Sequence, residues 1–114
     1  MKYSIENIDN IVIFNLKNES VDSRISADLK AKLLIVCQPD IDALIMDITH
    51  VQGFDSSGIG SLLLAERQLA ESEVPMLIVG ANDSIQEMFK LLRLDELFDF
   101  YPTVDEALKD LAEN

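Results

Sequence analysis

The stretch ALIMDITHVQGFDSSGIG, residues 43–60, is the most informative part of the chain because it joins a β-strand to a helix. Residues 43–48 are almost entirely apolar, which is typical of a central strand that is covered on both faces. Asp55 is a preferred N-cap residue, and the small residues that follow it suit the first turn of a helix. We therefore predict a strand at 43–48, a loop over 50–54, and a helix that begins at Asp55 and ends near Glu71.

The segments on either side continue the alternation of strands and helices. Residues 3–8 and 11–16 have a β-type pattern and are separated by a break that suits a tight turn, so we expect an antiparallel pair. Residues 17–20 are polar and predict a loop. Apolar spacing and capping residues predict the remaining elements, which are a helix from Asp22 or Ser23 to about Gln38, a strand at 74–79, a helix from Ser84, a strand at 97–101 and a helix from Thr103. The order ββαβαβαβα predicts an α/β fold, in which about four helices flank a mixed sheet in one domain over residues 1–114.

The composition excludes several classes of protein. The chain has 9 Lys and Arg against 21 Asp and Glu, a net charge of −12, which argues against binding to nucleic acid or anionic lipid. No apolar run approaches the roughly 20 residues of a membrane helix, so direct membrane insertion is not expected. Cys37 and His50 are the only cysteine and histidine, so a Cys/His metal site is not expected. The first seven residues lack the apolar core of a signal peptide, and we expect a cytoplasmic protein.

The residue patterns of common enzymes are also missing. A nucleophile elbow needs glycine two places before and after the serine, but Phe54 stands before Ser56 in place of the first glycine. No lysine follows Gly58 or Gly60 as a Walker A loop would require. Asp22, Asp47 and Asp55 are predicted at the ends of elements, where we expect caps and strand-end hydrogen bonds rather than acid–base or Mg²⁺ chemistry. We therefore expect no catalytic residues, no metal and no cofactor.

The segment from Asp55 to Gly60 has a further property if it begins a helix. The first backbone N–H groups of a helix have no partner within it, so a phosphate on Ser56 or Ser57 would meet free donors and the positive end of the helix dipole. On a helical wheel, Leu64 lies in the middle of the polar face of this helix, which is formed by Ser57, Ser61, Gln68 and Glu71. We interpret Leu64 as a contact for a docking partner.

Residues 44–51 and 54–60 resemble the signature of the STAS-domain anti-sigma-factor antagonists, and the similarity extends through 76–80, 85–94 and 103–111. The resemblance implies a mixed sheet flanked by four helices and a switch based on Ser56. In that family, a partner that is both an anti-sigma factor and a serine kinase phosphorylates the serine after the Asp. The unphosphorylated antagonist binds this kinase and frees a sigma factor, and a phosphoserine phosphatase resets the switch.

Together, the resemblance and the helix pattern predict a set of partner-binding residues, namely Asp22, Asp55, Ser57, Gly58, Ile59, Gly60 and Leu64. One departure from the family concerns residues 17–22, where the family often has a glycine and this chain has none. Two alternatives stay open at this point. One is a non-switching STAS docking module in a stress-signalling scaffold or a membrane transport complex. The other is an enzyme or metabolite-binding protein whose site would be Asp22, Asp55 and Ser56.

Overall fold

The computed structural model describes residues 1–113, and this part of the chain forms seven strands and four helices. The strands are β1 (Tyr3–Ile8), β2 (Ile11–Leu16), β3 (Ser20–Val21), β4 (Ala43–Asp47), β5 (Gly53–Phe54), β6 (Met76–Val79) and β7 (Asp99–Tyr101). The helices are α1 (Ser26–Val36), α2 (Ser56–Ala70), α3 (Asp83–Leu91) and α4 (Val104–Glu113). The longest helix, α2, has 15 residues, and none in residues 1–113 is long and apolar enough to cross a membrane.

Five strands form one mixed sheet in the order β1-β2-β4-β6-β7. The β1–β2 pair is antiparallel, and its register pairs Tyr3 with Leu16 and Ile8 with Ile11. The two-residue turn between them places Asp9 at φ 53°, a left-handed conformation that Asp tolerates better than most residues. All other neighbouring strands in this sheet are parallel. The predicted α/β architecture with a mixed sheet and four helices is therefore confirmed.

The sheet has helices on both faces. Successive side chains of a strand point in opposite directions, so each central strand contributes side chains to both layers. On β4, Leu44 and Met46 lie in the larger apolar cluster with residues of α1, α2 and α3. Ala43 and Ile45 lie in the smaller cluster with Ala107 of α4. The first four side chains of β4 are fully buried, which explains why this part of the strand is a continuous apolar run rather than an alternating one.

Two helices begin at residues other than those the sequence predicted. Helix α1 begins at Ser26, not near Asp22 or Ser23, because the carbonyl of Asp22 accepts the N–H groups of Ile25 and Ser26 in a preceding turn. Helix α3 begins at Asp83 with Asn82 as its N-cap, whose side chain accepts the N–H of Ile85 at 2.8 Å. The predicted capping role of Ser84 is wrong for this reason.

The two segments predicted as loops at 17–20 and 50–54 each end in a short strand. Strands β3 and β5 form a separate parallel pair, with Ser20 beside Gly53 and Val21 beside Phe54. Strands of two residues are too short to show a periodicity in the sequence. Their pairing brings the chain before α1 against the chain before α2.

Candidate functional site

The start of α2 has the N-cap that the sequence predicts. Asp55 has an extended backbone, and its Oδ1 accepts the N–H of Gly58 at 2.9 Å. The same oxygen accepts the hydroxyl of Ser57 at 2.6 Å. One carboxylate oxygen therefore holds both the backbone and a side chain of the first turn.

These bonds stabilise the charged form of Asp55. The hydroxyl of Ser57 and then the N–H of Gly58 lower the pKa of the Asp55 carboxyl from its ordinary value of 3.8, with smaller contributions from the N–H groups of Ser57 and Ser23. Desolvation acts in the opposite direction and is outweighed. A group with a lowered pKa in the folded state stabilises that state above its unfolded pKa, and this stabilisation is lost as the pH falls through the folded pKa.

Gly58 allows α2 to begin directly against β3. A Cβ atom at this position would lie 2.6 Å from the carbonyl oxygen of Val21 and 3.1 Å from the ring of Phe54. Gly60 differs, because a Cβ atom there would meet nothing within 4 Å. Of the two glycines in the segment, only Gly58 is therefore required by the packing.

Asp22 lies beside Asp55 but does not cap a helix. The residues of the β3–β5 pair that precede them, Val21 and Phe54, are neighbours, and the N–H of Asp55 donates to the carbonyl of Val21 at 3.0 Å. The Asp22 carboxylate accepts the guanidinium of Arg24 at 2.7 Å. This side-chain bond, followed by the backbone N–H of Arg24, lowers the pKa of Asp22. No pattern in the sequence predicts this ion pair, because residues two positions apart at the start of a helix would not face each other.

Ser56 and Ser57 differ in exposure and in bonding. Ser57 is half-buried, and its hydroxyl is engaged by Asp55. Ser56 is exposed as the first residue of α2, and within residues 1–113 no group forms a hydrogen bond with its hydroxyl. Of the two serines, Ser56 presents the free hydroxyl to solvent.

The face of α2 that the sequence predicts to be polar and outward packs against α1. Ser61 is fully buried, and its hydroxyl donates to the carbonyl of Ser26 at 3.0 Å. Gln68 donates to the carbonyl of Cys37 at 2.6 Å, at the end of α1. Leu64 lies between these two positions on the helix and is half-buried. The exposed surface of Leu64 is smaller than its place on the polar face of the helical wheel suggests. Its role as a partner contact stays a prediction.

The remaining predicted partner residues divide by exposure. Ile59 is 5% exposed and belongs to the core, whereas Gly60 is exposed. Beside the site, Lys2, Lys17 and Arg24 line an open cleft of about 600 Å³. The described residues contain no group of three or more His, Cys, Asp or Glu side chains that could hold a metal ion.

Comparison with known proteins gives a family. The model of the STAS domain matches residues 2–107. The chain belongs to the STAS domain family. An NtrX-like response regulator of Rickettsia typhi is 25% identical to this STAS-domain chain over 89 residues, which cover 78% of the chain and 18% of that protein. The chain thus spans about a fifth of the length of the curated relatives it matches.

Solved structures share this STAS fold. An anti-sigma-factor antagonist domain protein from Planctomyces limnophilus has a TM-score of 0.88 at 17% identity, with 96% of this chain and 97% of that chain covered. The phosphorylated form of the Bacillus cell fate determinant SpoIIAA has a TM-score of 0.76 at 19% identity, with 96% and 99% covered. The murine anion transporter solute carrier 26 family member A9 has a TM-score of 0.81 at 16% identity, with 96% and 19% covered. At these identities the similarity shows a common fold.

We expect Gly58→Ala to lower the free energy of unfolding by about 1–3 kcal/mol, because the added methyl must displace the backbone of β3 or the start of α2. The matched control is Gly60→Ala. This variant should raise the free energy of unfolding by about 0.5–1 kcal/mol, because alanine favours a helix and its methyl group meets open space. Urea unfolding of the three proteins measures both changes. Equal effects of the two substitutions would contradict the required close approach at Gly58.

We expect Ser57→Ala to raise the pKa of Asp55 towards its ordinary value, because the Ser57 hydroxyl is the largest cause of the lowering. An NMR titration of the Asp55 carboxyl carbon measures this shift. Ser56→Ala is the control and should leave the pKa of Asp55 unchanged. If Ser57→Ala had no effect, the backbone N–H groups alone would hold the carboxylate.

Proposed function

We propose that this STAS domain is an anti-sigma-factor antagonist whose binding is switched off by phosphorylation of Ser56. The observation that carries the proposal is the exposed, unbonded hydroxyl of Ser56 at the first position of α2, beside the engaged hydroxyl of Ser57. Its support from known proteins is the fold shared with anti-sigma-factor antagonists, including a phosphorylated form of SpoIIAA.

The start of α2 can accept a phosphate on Ser56 without rearrangement of the core. The first N–H groups of a helix and its dipole favour an anion there, and α2 has no acidic residue in its first turn. The nearby carboxylates of Asp55 and Asp22 oppose a second negative charge, but each already accepts hydrogen bonds. A phosphate that extends away from Asp55 into solvent therefore leaves the cap intact.

The same phosphate acts differently at a protein interface. It adds about −1.5 to −2 charge at neutral pH and increases the size of the side chain. A partner that docks over Ser56 must then desolvate this charge or bring its own carboxylates close to it. A hundredfold loss of affinity needs only about 2.7 kcal/mol, within the several kcal/mol that like-charge contacts cost.

The partner in this proposal is an anti-sigma factor with serine-kinase activity, and a phosphoserine phosphatase reverses the modification. Asp22, Asp55, Ser57 and Gly60 are the predicted partner residues that are at least partly accessible beside Ser56. The net charge of −12 favours a partner with a neutral or basic docking face over nucleic acid. The chain itself is proposed to act by binding rather than by catalysis.

The alternative is a STAS module that docks without switching, in a signalling scaffold or a transport complex. The murine anion transporter favours it, because a segment of that protein with the same fold makes up 19% of its chain. In that case Ser56 would be a residue of the helix start only. The modification state of Ser56 separates the two functions.

We expect the protein purified from its native cells to contain a fraction that is heavier by one phosphate, located on Ser56 by peptide mass spectrometry. Ser56→Ala should abolish this fraction. The serine kinase should then co-purify with the variant under all growth conditions. Ser56→Asp should lower the amount of bound kinase, because it introduces a charge at the docking surface.

Ser57→Ala is the matched control for that experiment, since it removes the neighbouring hydroxyl and leaves Ser56 in place. It should be phosphorylated like the wild type. Phosphate on Ser57, or kinase binding that is the same in wild type, Ser56→Ala and Ser56→Asp, would contradict the switch and favour the docking module.

We expect Leu64→Glu to weaken binding of the kinase at least tenfold if the half-buried Leu64 contributes to the docking surface, because a buried charge in an interface is costly. Leu91→Glu is the control, because Leu91 is 76% exposed at the end of α3. Binding measured by titration calorimetry should be unchanged for Leu91→Glu. Thermal unfolding of both variants shows whether Leu64 instead supports the packing of α1 against α2.

A further inference from the structure

Strand β1 has a free edge whose hydrogen-bonding groups face solvent. It is the outermost strand of the sheet, and among residues 1–113 it pairs only with β2. The N–H of Lys17 donates to the carbonyl of Lys2 at 2.8 Å, so the even-numbered residues direct their backbone groups towards β2. The odd-numbered residues Tyr3, Ile5 and Asn7 therefore direct theirs away from the sheet.

This edge has few of the features that usually prevent pairing. β1 has six residues, contains no proline and pairs with β2 in a continuous register without a bulge. Ile5 and Ile8 are 38% and 43% exposed, although isoleucine is usually buried. The opposite edge of the sheet, β7, has only three residues and is a much shorter template. β1 is the edge that could accept another strand over a useful length.

The segment of sequence that contains β1 differs in charge from the rest of the chain. Residues 1–37 contain five Lys and Arg and five Asp and Glu, so they are neutral overall. Residues 38–114 contain four Lys and Arg and 16 Asp and Glu, which accounts for the whole net charge of −12. Net repulsion between two copies is therefore smallest for contacts made by residues of this neutral segment, to which β1 belongs.

We propose that β1 pairs in an antiparallel direction with β1 of a second copy of this chain, about a two-fold axis at Ile5. This register is the one that places all three outward-facing residues opposite outward-facing residues. Ile5 then faces Ile5 of the second copy, and Tyr3 faces Asn7. The two sheets become one sheet of ten strands, and the contact is the same patch on both copies, as a two-fold dimer requires.

The side chains agree with this register. On the other face of the strand, Lys2 is opposite Ile8 of the second copy and diagonal to its Glu6, and the two-fold axis repeats this contact. The only acidic side chain on β1 is therefore close to a lysine in the dimer. The contact is small, so we expect a weak dimer that forms as the concentration rises.

Sedimentation velocity of the 114-residue chain over an approximately hundredfold range of concentration tests the proposal, at about 0.15 M salt where exposed charges are screened beyond roughly 8 Å. The wild type should shift from 12.8 kDa towards twice that mass. Ile5→Lys places two like charges at the axis and should remain a monomer throughout. Ile35→Lys is the control, since Ile35 is 68% exposed on α1 and should not affect the dimer.

Cross-linking tests the register independently of affinity. Residues opposite each other in a hydrogen-bonded antiparallel pair have Cα atoms about 5.5 Å apart, within the range that a disulfide can bridge. Ile5→Cys should therefore give a covalent dimer on mild oxidation. Ile8→Cys should not, because the two copies of this residue would be about 20 Å apart along the strands. Burial raises the pKa of the native Cys37 to about 11, so the wild type should also stay uncrosslinked.

A wild type that stays monomeric at every concentration would overturn the proposal and leave the edge for a strand of a different protein. A dimer that Ile5→Lys forms as readily as the wild type would also overturn it, because another surface would then be responsible. Circular dichroism of Ile5→Lys confirms that any loss of the dimer does not reflect unfolding. The dimer and the proposed switch can fail independently, because Ser56 lies on α2 and not on β1.

Discussion

The missing side chain at Gly58 is the constraint on which the candidate site depends. Without a Cβ atom, the first turn of α2 approaches the carbonyl of Val21 closely enough for β3 and β5 to pair. That pairing holds Asp22 and Asp55 at the ends of neighbouring strands. Asp55 then caps α2, and Ser56 is left at the first position of the helix with its hydroxyl in solvent. The close contact between Gly58 and the carbonyl of Val21 thus determines where Asp55 and Ser56 lie.

The parts of the fold that the sequence predicted have local causes. The strand at 43–48 could be predicted because β4 is buried on both faces and its first four residues are therefore apolar. The start of α2 could be predicted because its N-cap, Asp55, bonds to a backbone N–H group only three residues away. The final helix also begins as predicted, with the hydroxyl of Thr103 accepting the N–H of Glu106 at 3.2 Å. Each of these features is determined by residues within a few positions of one another, so it can be predicted from the local pattern of one sequence.

The features that the sequence did not predict depend on contacts between distant segments. Nothing within residues 17–25 indicates that Val21 pairs with Phe54. The turn at Asp22 that follows this short strand delays the start of α1 to Ser26. The helical wheel likewise placed Ser61 on an exposed face, whereas α1 covers it and its carbonyl at Ser26 accepts the buried hydroxyl. A wheel identifies which residues share a face, but it cannot tell which element packs on that face.

The chemistry of the proposed switch and the stability of the fold involve different atoms of the same turn. The bonds that begin α2 are made by Asp55, Ser57 and Gly58, and the Ser56 hydroxyl contributes to none of them. In the proposed switch, a phosphate on that hydroxyl would add charge to the surface that a partner contacts, while the cap and the close contact with Val21 persist. If the two serines exchanged roles, phosphorylation would remove the hydroxyl that contributes most to lowering the pKa of Asp55 and would place two anions in contact. The proposed switch would therefore act on partner binding and leave the bonds that form this turn in place.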